Sequence, residues 1–243
     1  MSETIVRDAK CVILGAGRGR RLEPITKGRY PKCLLKLGEK TLFQYQVEAA
    51  RAAGLNDILV VTGFKPDTVE KLASDLQVNT IWNPLSEFTE NIASLAIVRN
   101  LKNDLVIING DVFFPREFLP LLLSEKQSAL LIDRWSGGRY DAEAMRVSMD
   151  RSGWITSISK TIPKKKASGE YIGICRIRNR DMRLLRLALT SLLSSKALWN
   201  WYESAFDLMM RNQRVFRGCF LPIGYNWAEI DTPQDYRKAL NYL

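Results

Sequence analysis

The sequence predicts an α/β protein built on a Rossmann-like, mixed and mostly parallel sheet flanked by helices, with a small antiparallel subregion in its second half. Three observations lead to this fold class. Strand-like apolar runs alternate with helical spacing up to Asp111, a glycine-rich turn directly follows the first run, and after Ser128 the pattern changes to short alternating runs separated by turns. Rounds of strand and helix are typical of parallel sheets that helices cover on both faces.

The first half contains four strand-like runs that alternate with helical segments. A buried strand has a continuous run of about four to eight apolar residues, whereas a helix repeats them every three or four positions. The strand-like runs are Lys10–Leu14, Asp57–Thr62, Val78–Trp82 and Leu105–Ile108. Helical spacing occurs in Leu42–Ala53, Pro66–Ala73 and Asn91–Arg99.

The second half predicts antiparallel strands followed by helices. Alternating runs occupy residues 128–133, 143–150, 154–160 and 170–177. Helical periodicity follows in Asp181–Leu193 and Leu198–Met210, and Val215–Phe220 reads as a strand. Thr232 before Pro233, with Asp235 three residues after Thr232, resembles a capping box that opens a C-terminal helix.

The composition excludes several classes of protein. With 46% hydrophobic and 26% charged residues in 243, the chain is ordinary globular material. No apolar run approaches the roughly 18 to 20 residues that a bilayer span requires, and the first residues lack the pattern of a secretory signal, so we expect a cytoplasmic protein without a membrane span. The 4 cysteines form no CxxC pair, which favours reduced, mostly buried thiols.

Histidine is absent, and the charge is strongly positive. The first property removes Ser-His-Asp and Cys-His catalysis, so any chemistry must use carboxylates, Lys, Arg or a metal. The net charge is +10, with 16 basic and 14 acidic residues in 1–120 against 20 and 12 in 121–243. This excess favours an anionic partner, such as a phosphorylated small molecule, although a solvated basic face is also possible. Nucleic acid is disfavoured because no base-stacking aromatic pattern or recognition helix is evident.

The most informative segment is residues 14–36, LGAGRGRRLEPITKGRYPKCLLK. Gly15, Gly17 and Gly19 follow a strand and free backbone N–H groups to face an anion, which predicts a phosphate cradle. A dinucleotide fingerprint or a P-loop would each need glycine where Arg20 stands, so both fail. Arg18, Arg20, Arg21 and Lys32 could together neutralise a triphosphate.

This segment, with PKCLLKLGEKTLFQYQ, resembles the nucleotidyltransferases that make sugar nucleotides, whose signature is approximately L-A-A-G-x-G-T/S-R-L followed by P-K-P/A-L. Gly15, Arg20 and Cys33 depart from it. Three further motifs continue the resemblance in order: Asn91-Ile-Ala-Ser-Leu where the family reads the base, Ile107-Ile-Asn-Gly-Asp111 as its metal aspartate, and residues 228–236 as its second metal motif.

Within that family the sequence is most similar to the small cytidylyltransferases that activate phosphocholine, inositol 1-phosphate or 2-aminoethylphosphonate. The ending EIDTPQDYRKAL and the series 131–133, 144–147, 158–160 and 169–173 carry this likeness. It implies one GT-A-like nucleotidyltransferase domain over 1–243, in which 1–125 bind nucleotide and 126–243 hold the acceptor-binding part and the second metal motif.

The implied reaction transfers CMP from CTP to a phosphorylated alcohol or phosphonate and releases pyrophosphate, with Mg²⁺ as cofactor. An ionised phosphate is already a nucleophile, so no general base is needed. The alternative is a sugar-1-phosphate nucleotidyltransferase that uses UTP, dTTP, GTP or CTP. A catalytically retired homologue and a homodimer also remain open.

The resemblance also assigns site residues. Arg21 and Lys32 are the catalytic candidates, and the metal candidates are Asp111, Asp231 and Glu229. The nucleotide-binding set is Leu14, Gly15, Ala16, Gly17, Arg18, Gly19, Arg20, Thr62, Asn91 and Gly110, where Asn91 could instead cap its helix. The acceptor-binding set is Asp133, Lys160 and Tyr171. An ammonium group on the acceptor would call for aromatic rings, available at Trp135, Tyr140, Tyr171, Trp199, Trp201 and Tyr202, whereas Asp133, Asp141 and Glu143 could meet an amine or hydroxyls.

Overall fold

A computed structural model describes residues 9–134, 143–195, 198–211 and 213–243. Its strands are β1 (Lys10–Leu14), β2 (Lys36–Leu37), β3 (Lys40–Thr41), β4 (Asp57–Thr62), β5 (Asn79–Trp82), β6 (Leu105–Asn109), β7 (Val112–Phe113), β8 (Ser128–Asp133), β9 (Arg146–Met149), β10 (Ile155–Ser159), β11 (Gly169–Ile177), β12 (Phe216–Phe220) and β13 (Ala228–Glu229). Its α-helices are α1 (Glu23–Thr26), α2 (Leu42–Ala52), α3 (Pro66–Asp75), α4 (Ile92–Ile97), α5 (Phe118–Ser124), α6 (Met182–Ser194), α7 (Glu203–Met210) and α8 (Pro233–Leu240). Across the described ranges, no helix combines the length and the apolar character needed to cross a membrane.

One nine-stranded sheet takes strands from both halves of the chain. Strands β5, β4, β1 and β6 lie side by side in parallel. Strand β11 runs antiparallel to β6, β8 and β9, β9 pairs with β10, and β12 lies parallel to β8. The prediction of a Rossmann-like mixed sheet flanked by helices is confirmed, and the antiparallel strands join the main sheet through β11.

The sheet is buried on both faces, because alternate residues of each central strand enter different cores. On β1, Val12 and Leu14 pack into the core that also contains residues of α4, α6 and α7, while Cys11 and Ile13 pack against α2, α3 and α5. A third, smaller core holds Leu22, Phe113, Ile230 and part of α8. All four cysteines are free and buried, as the sequence predicted.

The carboxyl ends of the central parallel strands meet at one edge of the sheet. Leu14 stands opposite Val61 on β4 and opposite Asn109 on β6. The loops after these strands therefore start side by side, which is where open α/β sheets bind ligands. Gly110 allows the close approach, since a Cβ there would lie 2.5 Å from the carbonyl oxygen of Leu14.

Several predicted boundaries need correction. The segment that begins at Leu198 becomes helical only at Glu203, because the backbone at Leu198 and Tyr202 is bonded to the segment before α4: Glu90 N–H donates to Leu198 O, and Tyr202 N–H donates to the side chain of Asn91. The short pairs β2–β3 and β7–β13 were not predicted, since two-residue strands leave no periodic signal. The capping box at Thr232 is present as predicted.

Candidate active site

A recess of about 100 Å³ opens at the carboxyl end of β1. We call it the phosphate recess; its lining residues are Leu14, Gly15, Gly17, Gly19, Lys32, Cys33, Gly110 and Asp111. Gly19 has φ +69°, a left-handed conformation that favours glycine, and a Cβ there would press on the Lys32 side chain at 3.1 Å. The glycine-rich turn thus brings open backbone next to a lysine and a carboxylate.

Lys32 joins the two predicted metal motifs. Its Nζ donates a hydrogen bond to Asp111 Oδ2 at 2.7 Å and another to Asp231 Oδ1. Arg21 Nη2 donates to the other oxygen of Asp231 at 2.6 Å. The two predicted catalytic cations and two of the predicted metal ligands therefore lie in direct contact, although they are separated by up to 210 positions in the sequence.

The β7–β13 pair brings the second metal motif to the first. Glu229 stands opposite Val112 in this ladder, and Ile230 N–H donates to the carbonyl of Asp111 at 2.9 Å. Gln46, which was not predicted from the sequence, stabilises the turn between β6 and β7. Its Nε2 donates to Asn109 O at 2.9 Å and to Val112 O at 2.8 Å. Only its place among the buried positions of α2 could have indicated this role.

The three carboxylates fit a divalent cation. One oxygen from each of Asp111, Glu229 and Asp231 lies within 4.8 Å of the others. Among the described residues, Asp111 Oδ1 is buried and has no hydrogen-bond partner. Clustered carboxylate oxygens suit Mg²⁺, a hard cation that keeps several of its waters when bound. The donor set and the orphaned oxygen are therefore compatible with the predicted ion.

The charges of this cluster shift the pKa values of its members. Glu229 has part of its surface open to solvent, yet surrounding protein atoms desolvate its carboxyl and, with the charges of Asp111 and Asp231, raise its pKa to about 8. Burial alone would raise the pKa of Asp231, but Lys32, Arg21 and Lys160 hold it below its ordinary value. The carboxylates in turn raise the pKa of Lys32 against the opposing effect of burial.

The three arginines of the loop differ in their contacts. Arg18 Nε donates to Glu23 at 2.8 Å, and its guanidinium lies 4.9 Å from the ring centre of Phe64. Arg20 is exposed, and Arg21 is 62% exposed at its side chain while bonded to Asp231. Ala16 is buried, and its carbonyl accepts a hydrogen bond from Phe64 N–H at 3.1 Å.

Two nucleotide-binding candidates use their side chains for contacts within the protein. Thr62 has no exposed surface, and its hydroxyl donates to Glu70 at 3.3 Å, so its side chain packs inside the protein beside α3. Asn91 uses its side-chain oxygen to accept from Tyr202 N–H at 2.8 Å and makes no capping bond to α4. Asn91 therefore occupies the N-cap position of α4, where the alternative placed it, but its side chain does not cap the helix.

The three acceptor-binding candidates differ in their contacts and burial. Lys160 Nζ lies 4.0 Å from the ring centre of Trp201 and 3.2 Å from Glu143 Oε2. Asp133 Oδ2 accepts from Trp227 Nε1 at 2.9 Å, just before β13. Tyr171 is 3% exposed, so its side chain lies inside the protein and not on its surface. Trp135, Tyr140 and Asp141 lie outside the described residues.

Tyr171 belongs to a buried polar network that leads to Asn109. Its hydroxyl hydrogen-bonds to the Tyr202 hydroxyl at 2.9 Å, and Tyr202 donates to Asn109 Oδ1 at 2.9 Å. Gly173, with φ +79°, leaves room for the Asn109 side chain, which a Cβ would meet at 2.6 Å. The network therefore fixes Asn109, two residues before Asp111.

A glycine-lined phosphate recess beside a lysine and three carboxylates, at the carboxyl ends of parallel strands, defines an α/β enzyme site for a nucleotide. Comparison with known families agrees: the MobA-like NTP transferase domain matches residues 11–203. The chain therefore belongs to the family of MobA-like NTP transferase domains and is a nucleotidyltransferase. The resemblance inferred from the sequence motifs is confirmed.

Individual relatives are similar in sequence to part of this chain or to nearly all of it. A CTP:phosphoglutamine cytidylyltransferase of Campylobacter jejuni is 24% identical, with 92% of this chain and 96% of that protein covered. A choline-phosphate cytidylyltransferase of Streptococcus pneumoniae is 33% identical over 45% of this chain and 48% of its own length. A mannose-1-phosphate guanyltransferase of Schizosaccharomyces pombe is 30% identical over 48% of this chain and 34% of its own.

Solved structures show the same fold. The CTP:phosphocholine cytidylyltransferase from Streptococcus pneumoniae superposes with a TM-score of 0.80 at 20% identity, covering 96% of this chain and 98% of that one. The inositol-1-phosphate CTP transferase from T. maritima gives 0.71 at 19% identity, with 96% and 95% covered. At this level of identity the likeness concerns the fold alone.

Proposed function

We propose that this chain is a Mg²⁺-dependent cytidylyltransferase, which transfers CMP from CTP to a phosphorylated alcohol or a phosphonate and releases pyrophosphate. The observation that carries the proposal is the contact of Lys32 with Asp111 and Asp231 at the phosphate recess. A recess that could receive phosphates, two cations and a carboxylate triad are the parts that such a transfer requires. Relatives named for CTP-dependent transfer support the choice of nucleotide.

The reaction is a displacement at phosphorus. An ionised oxygen of the acceptor's phosphate or phosphonate attacks the α-phosphorus of CTP, the bond to the bridging oxygen breaks, and pyrophosphate leaves in line. No proton has to be removed from the nucleophile, which agrees with a chain without histidine. The protein therefore contributes alignment and neutralisation of negative charge.

Each part of the cluster has a separate task in this scheme. The backbone of the glycine-rich turn binds the triphosphate, and Lys32 and Arg21 neutralise charge that develops on the phosphates. Asp111, Glu229 and Asp231 would hold Mg²⁺, which would polarise the phosphoryl oxygens. Lys32 is bonded to two of these carboxylates, and its ammonium group would turn toward the phosphates when those carboxylates hold the ion instead.

The acceptor is assigned to the surface around Lys160. Its ammonium group is a suitable partner for the acceptor's phosphate, and its charge already acts on Asp231. The organic part of the acceptor would lie toward Trp201 and Glu143, an aromatic ring and a carboxylate that both contact Lys160. Phosphocholine, 2-aminoethylphosphonate and a phosphorylated amide such as phosphoglutamine are the acceptors to test.

A sugar-1-phosphate nucleotidyltransferase is the second candidate, favoured by the match to a mannose-1-phosphate guanyltransferase. Both candidates predict Mg²⁺-dependent release of pyrophosphate, so the substrates separate them. We would pair CTP, UTP, GTP, ATP and dTTP each with phosphocholine, 2-aminoethylphosphonate, phosphoglutamine, inositol 1-phosphate and common sugar 1-phosphates. Release with CTP and a non-sugar acceptor is the expected result. Release only with a sugar 1-phosphate would establish the second candidate instead.

A further inference from the structure

Arg146 is a buried cation under the loop that carries Lys160. It lies on β9 and is 7% exposed. Its Nη1 donates to the carbonyl oxygen of Lys160 at 2.7 Å and to that of Ile162 at 2.9 Å. Burial of a guanidinium is costly unless hydrogen bonds compensate it, so these bonds stabilise one arrangement of the loop.

We call residues 160–168 the lysine loop. Lys164, Lys165 and Lys166 form an exposed 3₁₀ turn within it, and their like charges oppose a compact loop. At its far end, Ser168 N–H donates to Val147 O at 2.7 Å and Ser148 Oγ donates to Lys166 O at 3.0 Å. At its near end, Arg146 donates hydrogen bonds to the carbonyl oxygens of Lys160 and Ile162, which need partners away from solvent.

The near end of the lysine loop determines where the Lys160 ammonium group lies. The backbone of Lys160 is bonded to Arg146, while its Nζ reaches the ring of Trp201 and the carboxylate of Glu143. A lysine side chain is flexible but of fixed length, so the position of its backbone limits which groups its ammonium can reach. Displacement of a positioning group by about 1 Å can cost as much as 10²-fold in rate.

We propose that Arg146 is a positioning residue for the acceptor: by holding the carbonyls of Lys160 and Ile162, it directs the Lys160 ammonium toward the acceptor's phosphate. This inference rests on the proposed function, in which Lys160 binds that phosphate. Arg146 touches neither substrate and acts through Lys160. The nucleotide is bound by other parts of the chain, so Arg146 affects the acceptor and leaves nucleotide binding unchanged.

The test compares the variants Arg146→Met, Arg146→Lys, Lys160→Met and Arg146→Met with Lys160→Met combined. Steady-state pyrophosphate release is measured with CTP and the acceptor that the wild-type chain uses best. Arg146→Met should raise KM for the acceptor about tenfold with KM for CTP unchanged, and Arg146→Lys should restore part of the loss. The combined variant should match Lys160→Met, since Arg146 then has no lysine to position.

Arg217→Met is the matched control. Arg217 lies on β12, its Nη1 donates to the carbonyl of Ser152, and its guanidinium lies 5.3 Å from the ring centre of Trp154. Like Arg146, it therefore stabilises a turn by a hydrogen bond to a backbone carbonyl, but that turn contains none of the predicted site residues. Its substitution should leave both KM values unchanged.

Three results would overturn the inference while leaving the proposed function intact. They are an unchanged acceptor KM in Arg146→Met, equal increases in both KM values, and effects of Arg146→Met and Lys160→Met that multiply in the combined variant. Where Arg146→Met does not fold, the same split of KM values in Arg146→Lys decides. A wild-type chain that releases no pyrophosphate with any acceptor would overturn the proposed function and this inference together.

Discussion

At the scale of single residues, Lys32 connects the glycine-lined recess with the two aspartates of the predicted metal site. Its ammonium contacts Asp111 and Asp231, and its stem lines the phosphate recess against Gly19. Burial opposes its charge, yet the carboxylates keep its pKa above the ordinary value. It therefore stays protonated at neutral pH and can neutralise phosphate charge.

Replacement of Lys32 by Met should affect catalysis and metal binding in opposite directions. Turnover should fall about 10² to 10³-fold, because a charge-stabilising donor is lost. Binding of Mg²⁺ without nucleotide should become tighter, because no ammonium competes for the carboxylates. Steady-state kinetics and calorimetric titration with Mg²⁺ measure the two effects, and the exposed Lys36→Met serves as control. Unchanged turnover would make Lys32 a structural residue.

Glu203 gives a prediction about pH and stability. It is 4% exposed, its Oε2 has no hydrogen-bond partner among the described residues, and burial raises its pKa to about 7. A raised pKa means that the folded state keeps a proton that the unfolded chain releases. Below the ordinary pKa of about 4.5, both states are protonated and the group does not lower the free energy of unfolding. As the pH rises from there to about 7, the free energy of unfolding falls, because only the folded state still holds the proton.

The side chain of Glu203→Gln cannot ionise. The difference in free energy of unfolding between this variant and the wild-type chain should therefore shift in favour of the variant from pH 5 to pH 8 and then level off, by a change on the order of 3 kcal/mol. Urea unfolding at both pH values measures it. Parallel pH dependence in the two proteins would show that the carboxyl of Glu203 finds compensation in the folded state.

At the scale of elements, the turn after β6 and the turn after β1 must touch for the site to form. A Cβ on Gly110 would lie 2.5 Å from Leu14 O and 2.9 Å from the Cα of Gly15, both backbone atoms that cannot give way cheaply. At Gly17, within the described structure, a Cβ would meet no atom within 4 Å. The two glycines thus serve packing and ligand access respectively.

The substitutions Gly110→Ala and Gly17→Ala form a matched pair. Gly110→Ala should lower the free energy of unfolding by about 2 kcal/mol or more, because backbone must shift. Gly17→Ala should leave stability within about 0.5 kcal/mol and weaken nucleotide binding, since its methyl group enters the phosphate recess. Thermal unfolding and nucleotide titration measure both variants. A large loss of stability in Gly17→Ala, with none in Gly110→Ala, would contradict the close contact between the turns after β1 and β6.

The long elements could be predicted from the sequence, and so could those members of contiguous motifs that the structure brings into contact. The strands Lys10–Leu14 and Asp57–Thr62 match their predicted bounds, because buried parallel strands are continuous apolar runs. The sequence does not show what tertiary contacts decide. Thr62 and Tyr171 are polar residues that packing buries, and the late start of α7 depends on a side chain of Asn91, which no local pattern reports.

Gln46 and Arg146 were missed for the same physical reason. Each is one polar residue in an otherwise ordinary helix or strand, and its role lies in carbonyls that are close only in the folded chain. A sequence motif can indicate residues that contact a ligand. The residues that hold these contact residues in place become visible only in the packing of the whole fold.

At the scale of the whole molecule, the fold brings two distant segments to one point. Asp111 follows a strand of the first half, Asp231 precedes the last helix, and the β7–β13 pair joins them beside Lys32. We therefore propose that both aspartates serve one Mg²⁺-dependent transfer. Their separation in sequence means that neither has this role without the complete fold.

The most direct measurement is transfer of label from CTP carrying ³²P at the α-phosphate, with the wild-type chain and Asp231→Asn side by side, with and without Mg²⁺. The account predicts that the wild-type chain moves the label to the acceptor only with Mg²⁺. It predicts that Asp231→Asn, folded by circular dichroism, loses at least about 10²-fold of this activity. Label transfer at the full rate without Mg²⁺, or by Asp231→Asn, would contradict the account.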